Sequence, residues 1–519
     1  MPSQQIALNS VGAFPKLFLD YISKNENLEK FYNQYPDIQG FSKVIESRKF
    51  TADKRQTLVS VLEKQYQVLE NKPNLDILLE PNTFTVTTGH QLNIFTGPLY
   101  VVYKIVTIIN LAKKLKAEFP AYNFVPVYWM ASEDHDFAEI ASFNLFGKTH
   151  KWETEQKGAV GRMNPAELQV IFDELSEKPA IFEEAYLKNA TLADAARQYM
   201  HQLFGNEGLV CIDADDAALK GVFSDIIKDD LLKNSANEIV TKTSNELNEM
   251  GYHTQITPRE INFFYLQDGL RERITKNSSE RSAVRFLVLN SELSFSESEI
   301  LQMVDNQPEN FSPNVVLRPL YQETILPNLA YIGGPSEVPY WLQLKGIFDH
   351  YGEQFPLLMP RNFALVINQA SQKRIDKLGI TAEELFADEV SLRRSYVERN
   401  SENSLSLAFE IDDVSEVFER ILKKSLAIDQ TMKGAVEAEK SKIISSLENL
   451  EKRIKKAEER NQETSVSQLL ALKQKLFPDG GLQERKENFL NFYLNDKEFI
   501  NKLLEAFDPI DYSFNIIEI

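Results

Sequence analysis

Two short segments hold the residue types best suited to chemistry. Thr88-Gly89-His90-Gln91, with Thr96-Gly97-Pro98 close behind, offers a glycine, an imidazole and an amide. Glycine permits close ligand approach, and histidine and glutamine both donate and accept hydrogen bonds. A tight turn around a packed histidine is the structural alternative. Glu133-Asp134-His135-Asp136 is the densest ionisable cluster that follows an apolar run. Its groups suit proton transfer, recognition of hydroxyl or amino groups, or a divalent ion. Adjacent side chains point in different directions, so the four do not converge as ligands, and no protein-bound metal is expected. A helix start capped by Asp134 or Asp136 is the competing explanation.

Three further candidates lie elsewhere. Tyr100 and Lys104 are four residues apart, on one face of a helix. Lys104 sits among apolar residues and must find an anion, either on a substrate or on a protein carboxylate. Gly333-Gly334-Pro335-Ser336-Glu337 gives an accessible backbone and a helix start. Glu337 would favour the helix dipole there, or bind a substrate amine. Arg318 follows the apolar run 315–317 and is suited to grip a carboxylate bidentately, or to pair with a buried acid. Cys211, inside an apolar run, reads as a buried structural thiol. His150, His201, His253 and His350 lack metal-ligand spacing. No P-loop, dinucleotide glycine motif or nucleophile elbow is present.

The elements that must position these residues alternate. Residues 83–88 and 124–129 read as strands, joined by a helix of about 20 residues that opens near Pro98. Pro126 counts against a ladder position. Strand, helix, strand at this spacing is a βαβ signal. More strands are expected at 208–212, 284–289, 315–317 and 363–367. Helices are expected over much of 12–80, 165–203 and 238–250. Together these predict an open α/β domain with insertions, ending near 385. From 408 to 476 glycine and proline punctuation disappears, apart from Gly434. Val436, Ile443, Leu447, Leu450, Ile454 and Ala457 form an a/d stripe among charges of both signs. The stripe predicts a coiled coil, within a dimer or folded back on a second helix. Residues 477–481 stop the helix, 488–507 return as helix, and 512–517 suit a closing strand.

The whole chain narrows the function. Its 519 residues are too many for one ordinary core, so two or three domains are expected. A net charge of -19 argues against general nucleic-acid binding. One cysteine excludes an intramolecular disulfide and suits a reducing cytoplasm. Residues 1–5 lack signal-peptide character, and no run reaches the roughly 20 apolar residues of a membrane span. A cytoplasmic protein without membrane or nucleic-acid partners is expected.

Several landmarks closely resemble the bacillithiol-biosynthesis family BshC, the cysteine-adding enzymes of a low-molecular-weight thiol pathway. They are TVTTGHQLNIFTGPLYVVYKI (85–105), VPVYWMASEDHDFAEI (125–140), RPLYQE (318–323), YIGGPSEVPYWLQLK (331–345) and FDPIDYSFNIIEI (507–519). The resemblance implies an α/β fold with a Rossmann-like parallel-sheet core and inserted connecting elements. It also implies a C-terminal antiparallel helical coiled coil that mediates homodimerisation. The expected divisions are a catalytic core at 1–385 with an inserted region at about 155–280, a coiled coil at 386–507, and a segment at 508–519 returning to the core. The implied reaction joins L-cysteine to the amine of glucosaminyl-malate, forming an amide. The core's likeness to nucleotidyltransferases, class I aminoacyl-tRNA synthetases included, makes ATP with Mg²⁺ the candidate activating cofactor.

Site residues carry over position by position. Gly89, Gln91 and Gly97 match the family's first glycine landmark. The family often has glutamine where His90 stands, which favours polar recognition over a histidine-specific step. Glu133, Asp134, His135 and Asp136 match the acidic landmark, with Asp134 and His135 the expected catalytic pair. Gly333, Gly334 and Glu337 match the later glycines. Thr96, Tyr100, Lys104 and Arg318 complete the expected binding set. The readings from other classes are a nucleotidyltransferase acting on another small metabolite and a noncatalytic coiled-coil scaffold.

Overall fold

The five central strands are largely buried on both faces, and most read as apolar runs, β1 adding buried threonines. They are β1 (Thr83–His90), β2 (Asn123–Met130), β3 (Val210–Asp213), β4 (Asn328–Gly333) and β5 (Leu357–Pro360). All neighbours pair in parallel, in the spatial order β3-β2-β1-β4-β5. This is the Rossmann-type order, whose direction reverses between β1 and β4. The computed structural model describes residues 4–277 and 284–519, so residues 1–3 of the N-terminal reading lie outside it.

Threonines inside β1 are buried but satisfied. Thr85 and Thr87 hydroxyls donate to Asn328 Oδ1 at 3.1 and 2.8 Å, and Thr88 donates to the Ile332 carbonyl at 2.8 Å. These bonds fix β4 beside β1 and so set the two strand ends that carry glycine landmarks. Pro126 does sit in β2, opposite Val86. It is tolerated because β3 first pairs at Val127, leaving Pro126 with a strand neighbour on one side only.

Helix α1 (Tyr100–Glu118) links β1 to β2. Helices α2 (Arg318–Ile325) and α3 (Glu337–Leu342) flank β4. The strand expected at 315–317 is absent. Pro319 lies in the first turn of α2, where its fixed φ and missing N–H suit a helix start, so the chain enters helix there. The strand is upstream instead, at Phe311–Pro313. Arg285–Val288 and Phe363–Ile367 are strands, but neither belongs to the parallel sheet.

The expected insertion at 155–280 is not one block, because β3 lies inside it. Helices Ala180–Lys188 and Leu192–Phe204 precede β3. A separate antiparallel sheet follows, in the order Ser294–Ser296, Arg285–Val288, Leu270–Asn277, Phe263–Gln267, Phe311–Pro313.

The chain divides into two compact units, 1–365 with 483–517, and 366–482 with 518–519. The divisions drawn from sequence at 385 and 508 therefore shift. Residues 483–507 belong to the first unit. There, Asn110 Nδ2 donates to the Leu504 and Phe507 carbonyls at 2.9 and 2.7 Å, and Asn488 Nδ2 to those of Phe95 and Gly97 at 2.8 and 2.7 Å.

The second unit is helical and contains α4 (Ala408–Leu426), α5 (Lys433–Asn461) and α6 (Glu463–Leu476). Helix α4 runs antiparallel to α5. Lys440 pairs with Glu419 at 3.0 Å, and the Leu407 N–H reaches Glu451 at 2.8 Å. Among the described residues, no helix is long and apolar enough to cross a membrane.

Candidate active site

A cavity of about 760 Å³ opens at the carboxyl ends of β1, β2 and β4, all within the first unit. The sheet supplies Gly89, His90, Gln91, Glu133, Asp134 and His135. The antiparallel sheet closes another side with Phe264, Arg271 and Pro313. A ligand here would meet the strand ends at the reversal point, where open α/β sheets bind theirs.

The β1–β4 side is internally neutralised. Buried Lys104 Nζ lies 2.6 Å from Glu337 Oε2 and donates to the Gly89 carbonyl at 2.9 Å. Glu337 also accepts the Tyr331 hydroxyl and the Gly334 N–H, both at 2.7 Å. Burial alone would raise its pKa, but the Lys104 ammonium and these donors hold it at about 2. Glycine at 333 avoids a tight contact, because a Cβ there would lie 3.0 Å from that of Glu337. His90 lies edge-on to Tyr100, with ring centres 5.3 Å apart. Burial, with the charge of Lys104, pushes its pKa down to about 3, so it is neutral at ordinary pH.

The β2 side is polar and open. Gln91 Nε2 donates to Asp134 Oδ2 at 2.8 Å and to Glu139 Oε2 at 2.6 Å. Asp134 Oδ1 accepts the N–H groups of His135 and Asp136 at 2.7 and 3.3 Å. Burial would raise the Asp134 pKa. The Gln91 amide, the Arg271 charge and the backbone donors outweigh burial and hold it below the usual carboxylate range.

His135 Nδ1 lies 2.6 Å from Arg271 Nη1. A guanidinium only donates, so Nδ1 must accept and the proton of the neutral ring sits on Nε2. Burial and the adjacent guanidinium both lower the His135 pKa. Arg271 is stacked on Phe264 at 4.0 Å and donates to Ser312 Oγ at 3.1 Å.

Glu133 belongs to a chain of charges at the edge of the cavity. Lys220 Nζ lies 2.5 Å from Glu133 and 3.0 Å from Asp215, which Arg162 also grips at 2.7 and 3.1 Å. Its carboxyl is raised by burial, against the pull of Lys220. Among the described residues, no three His, Cys, Asp or Glu side chains group as metal ligands.

The cavity therefore brings together Gly89, His90, Gln91, Tyr100, Lys104, Glu133, Asp134, His135, Arg318, Gly334 and Glu337. Thr96, Gly97, Gly333 and Asp136 do not line it. Phe95, Thr96 and Gly97 all have positive φ, at 52°, 67° and 66°, and form the buried turn that launches α1. Asp136 is exposed beyond the capping oxygen of Asp134. Gly89 and His90 lie inside the β1 ladder, paired with Trp129 and Met130, so they form no loop of free N–H groups around a phosphate. Sequence reading missed Arg271, Arg361, Arg485, Glu139 and Trp129. Arg361 directly follows β5, so the rule that singles out strand ends would have found it.

A parallel Rossmann-type sheet with a polar cavity at its reversal point defines an α/β protein whose cavity lies where such sheets bind ligands. Two family models match it end to end. Residues 1–362 match the N-terminal Rossmann-like domain of bacillithiol biosynthesis BshC, and 364–519 match its C-terminal coiled-coil domain. The chain belongs to the BshC family. A relative in Cytophaga hutchinsonii, named "Putative cysteine ligase BshC", is 41% identical over 99% of this chain and 98% of its own length. Same-named relatives in Flavobacterium psychrophilum and Flavobacterium johnsoniae are 43% and 42% identical over all of this chain and of theirs.

Proposed function

We propose that this protein is a cysteine ligase of bacillithiol biosynthesis that joins the L-cysteine carboxyl carbon to the amine of glucosaminyl-malate. The observation that supports it is the open side of the cavity. There an ionised Asp134, held by Gln91, sits beside a neutral His135 that presents Nε2–H. The amine attacks the acyl carbon and becomes a strongly acidic ammonium, so even a weakly basic carboxylate accepts its proton. The His135 Nε2–H stabilises the oxyanion as it develops. With its other nitrogen taken by Arg271, His135 serves as a donor rather than a base.

A free carboxylate is a poor electrophile, so the acyl oxygen must leave attached to an activating group. ATP with Mg²⁺ would supply it as a phosphate or adenylate. The test incubates the full-length protein with L-cysteine and glucosaminyl-malate, with and without ATP-Mg²⁺, and follows bacillithiol by mass spectrometry. Product only with nucleotide is expected. Full turnover without it overturns the activation step, and no product in either arm overturns the reaction.

We further infer that the protein works as a homodimer through its helical unit. Of the a/d stripe on α5, Val436 is buried, while Ile443 and Leu450 remain 41% and 46% exposed. Val417 and Ile421 on α4 add apolar surface, at 41% and 40%. A hairpin that leaves these apolar positions open offers a seam on which a second copy would pack. Replacing Ile443 and Leu450 together by Asp should halve the mass measured by light scattering. An unchanged mass with native helix content would exclude this seam.

A further inference from the structure

Arg318 is a part-buried cation of the cavity that, among the described residues, pairs with no carboxylate, unlike several buried cations of the first unit. Lys104 is matched by Glu337, Lys220 by Glu133 and Asp215, and Arg361 by Glu484. Arg55 has no such carboxylate but donates to the carbonyls of Leu78, Thr83 and Pro81. Arg318 Nη1 donates to Gln322 Oε1 at 3.0 Å, a neutral acceptor one helical turn away. Its Nη2 is shielded from solvent and makes no hydrogen bond of good geometry, the neutral Tyr340 hydroxyl being the side chain placed beside the guanidinium. The guanidinium lies 5.7, 5.8 and 6.0 Å from the ring centres of Trp129, Tyr331 and Trp341. Those rings hold it in place without neutralising it, and the residue lines the cavity.

A guanidinium does not escape burial by losing its proton. A shielded donor left unmatched carries a desolvation penalty, which an anion relieves once the side chain turns its fork toward the cavity. The planar fork suits a carboxylate, taken by two parallel N–H···O bonds. We propose that Arg318 is the receptor for a non-reacting carboxylate of the substrate, an assignment that rests on the ligase reading above. A carboxylate held by both oxygens is neutralised and has no free oxygen to be activated. The single carboxylate of cysteine is the one that reacts, so it is the wrong occupant. The malate end of the acceptor carries carboxylates that take no part in amide formation, and these fit the receptor.

The test is binding without turnover. L-malate, L-cysteine and inorganic phosphate are titrated separately into the full-length protein by calorimetry, with intrinsic fluorescence of the flanking Trp129 and Trp341 as a second signal. The expected result is that malate binds and that Arg318→Gln weakens it by roughly 30-fold or more, as loss of a charge-assisted fork predicts. Arg318→Lys, which keeps the charge without the fork, should fall between. The ligand-free Arg318→Gln protein should melt no lower than the wild type, because it loses an unmatched charge, while its malate-induced rise in Tm disappears.

Equal malate affinity in wild type and Arg318→Gln overturns the assignment. So does failure of the folded wild type to bind malate, or dependence on Arg318 for cysteine or phosphate but not malate. An Arg318→Gln protein that unfolds overturns it in favour of a structural role. Malate binding through Arg318 in a protein that forms no amide would leave the receptor standing and sink the ligase reading instead.

Discussion

Lys104 and Arg318 are cations on one cavity, the first buried and the second part-buried, and the protein treats them in opposite ways. Lys104, on the β1–β4 side, is closed off by Glu337, the Gly89 carbonyl and the tight approach that Gly333 allows. Arg318, beside Trp129 at the end of β2, keeps an unmatched donor. Arg271 also spends its hydrogen bonds on neutral acceptors, with Asp134 no nearer than 4.0 Å. One side of the cavity is thus completed by the protein, and on the proposed reading the other is completed by the ligand. Disrupting the first should cost stability. Disrupting the second should cost binding and rate.

The largest effect is expected on the closed side. Glu337→Gln strands Lys104 in the interior, and breaking one partner of such a pair costs about 3–5 kcal/mol. Chemical denaturation should show that loss, and adding Lys104→Met should recover much of it. The carboxyl's folded pKa is lowered from 4.5 to about 2. Its contribution is therefore complete above about pH 4.5 and disappears as pH falls toward about 2. If Glu337→Gln were no more destabilising than Arg318→Gln, the contrast between the two sides would fail.

On the open side, Asp134→Asn should lower turnover by about 100-fold while costing less stability than Glu337→Gln. His135→Gln separates two roles. An amide N–H replaces the imidazole donor, so activity within about tenfold of wild type is expected if His135 donates. Loss as deep as that of Asp134→Asn would show that it accepts a proton after all. Arg271→Leu removes the burying guanidinium, and the His135 pKa should then rise toward its ordinary value of 6.5, as followed by NMR titration.

The part of the cavity carried by the parallel sheet, on both sides, was the more legible in sequence, for a topological reason. Parallel strands deliver their local sequence to one edge, so Gly89, Gln91, Asp134, Gly334 and Glu337 stood out as residues just past apolar runs. Lys104 stood out as a charge among apolar neighbours, although its choice between substrate and protein anion needed coordinates. Arg271 arrives on a strand of the antiparallel sheet, and Arg485 on the chain's return from the helical unit. Neither has a local pattern that announces a pocket. Thr96-Gly97 misled for a different reason, since positive φ rather than ligand approach explains the glycine. The turn between α4 and α5 was also hidden. It is made by Asp429 Oδ1 accepting the Thr431 N–H at 2.8 Å, with neither glycine nor proline to mark it.

The smallest effect tests whether His90 belongs to the closed side by structure alone. Its pKa falls from 6.5 to about 3, because burial and the neighbouring Lys104 charge oppose protonation. A lowered folded pKa means that stability is complete above about pH 6.5 and declines as pH drops toward about 3. At about pH 5 the loss is of order 2 kcal/mol. His90→Gln has no such group to protonate. It should keep near-normal turnover at neutral pH and a flatter stability profile down to about pH 4.5, below which Glu337 takes over. A His90→Gln protein that is stable but inactive at neutral pH would place chemistry on the side described here as closed. The division of the cavity would then have to be redrawn around the imidazole.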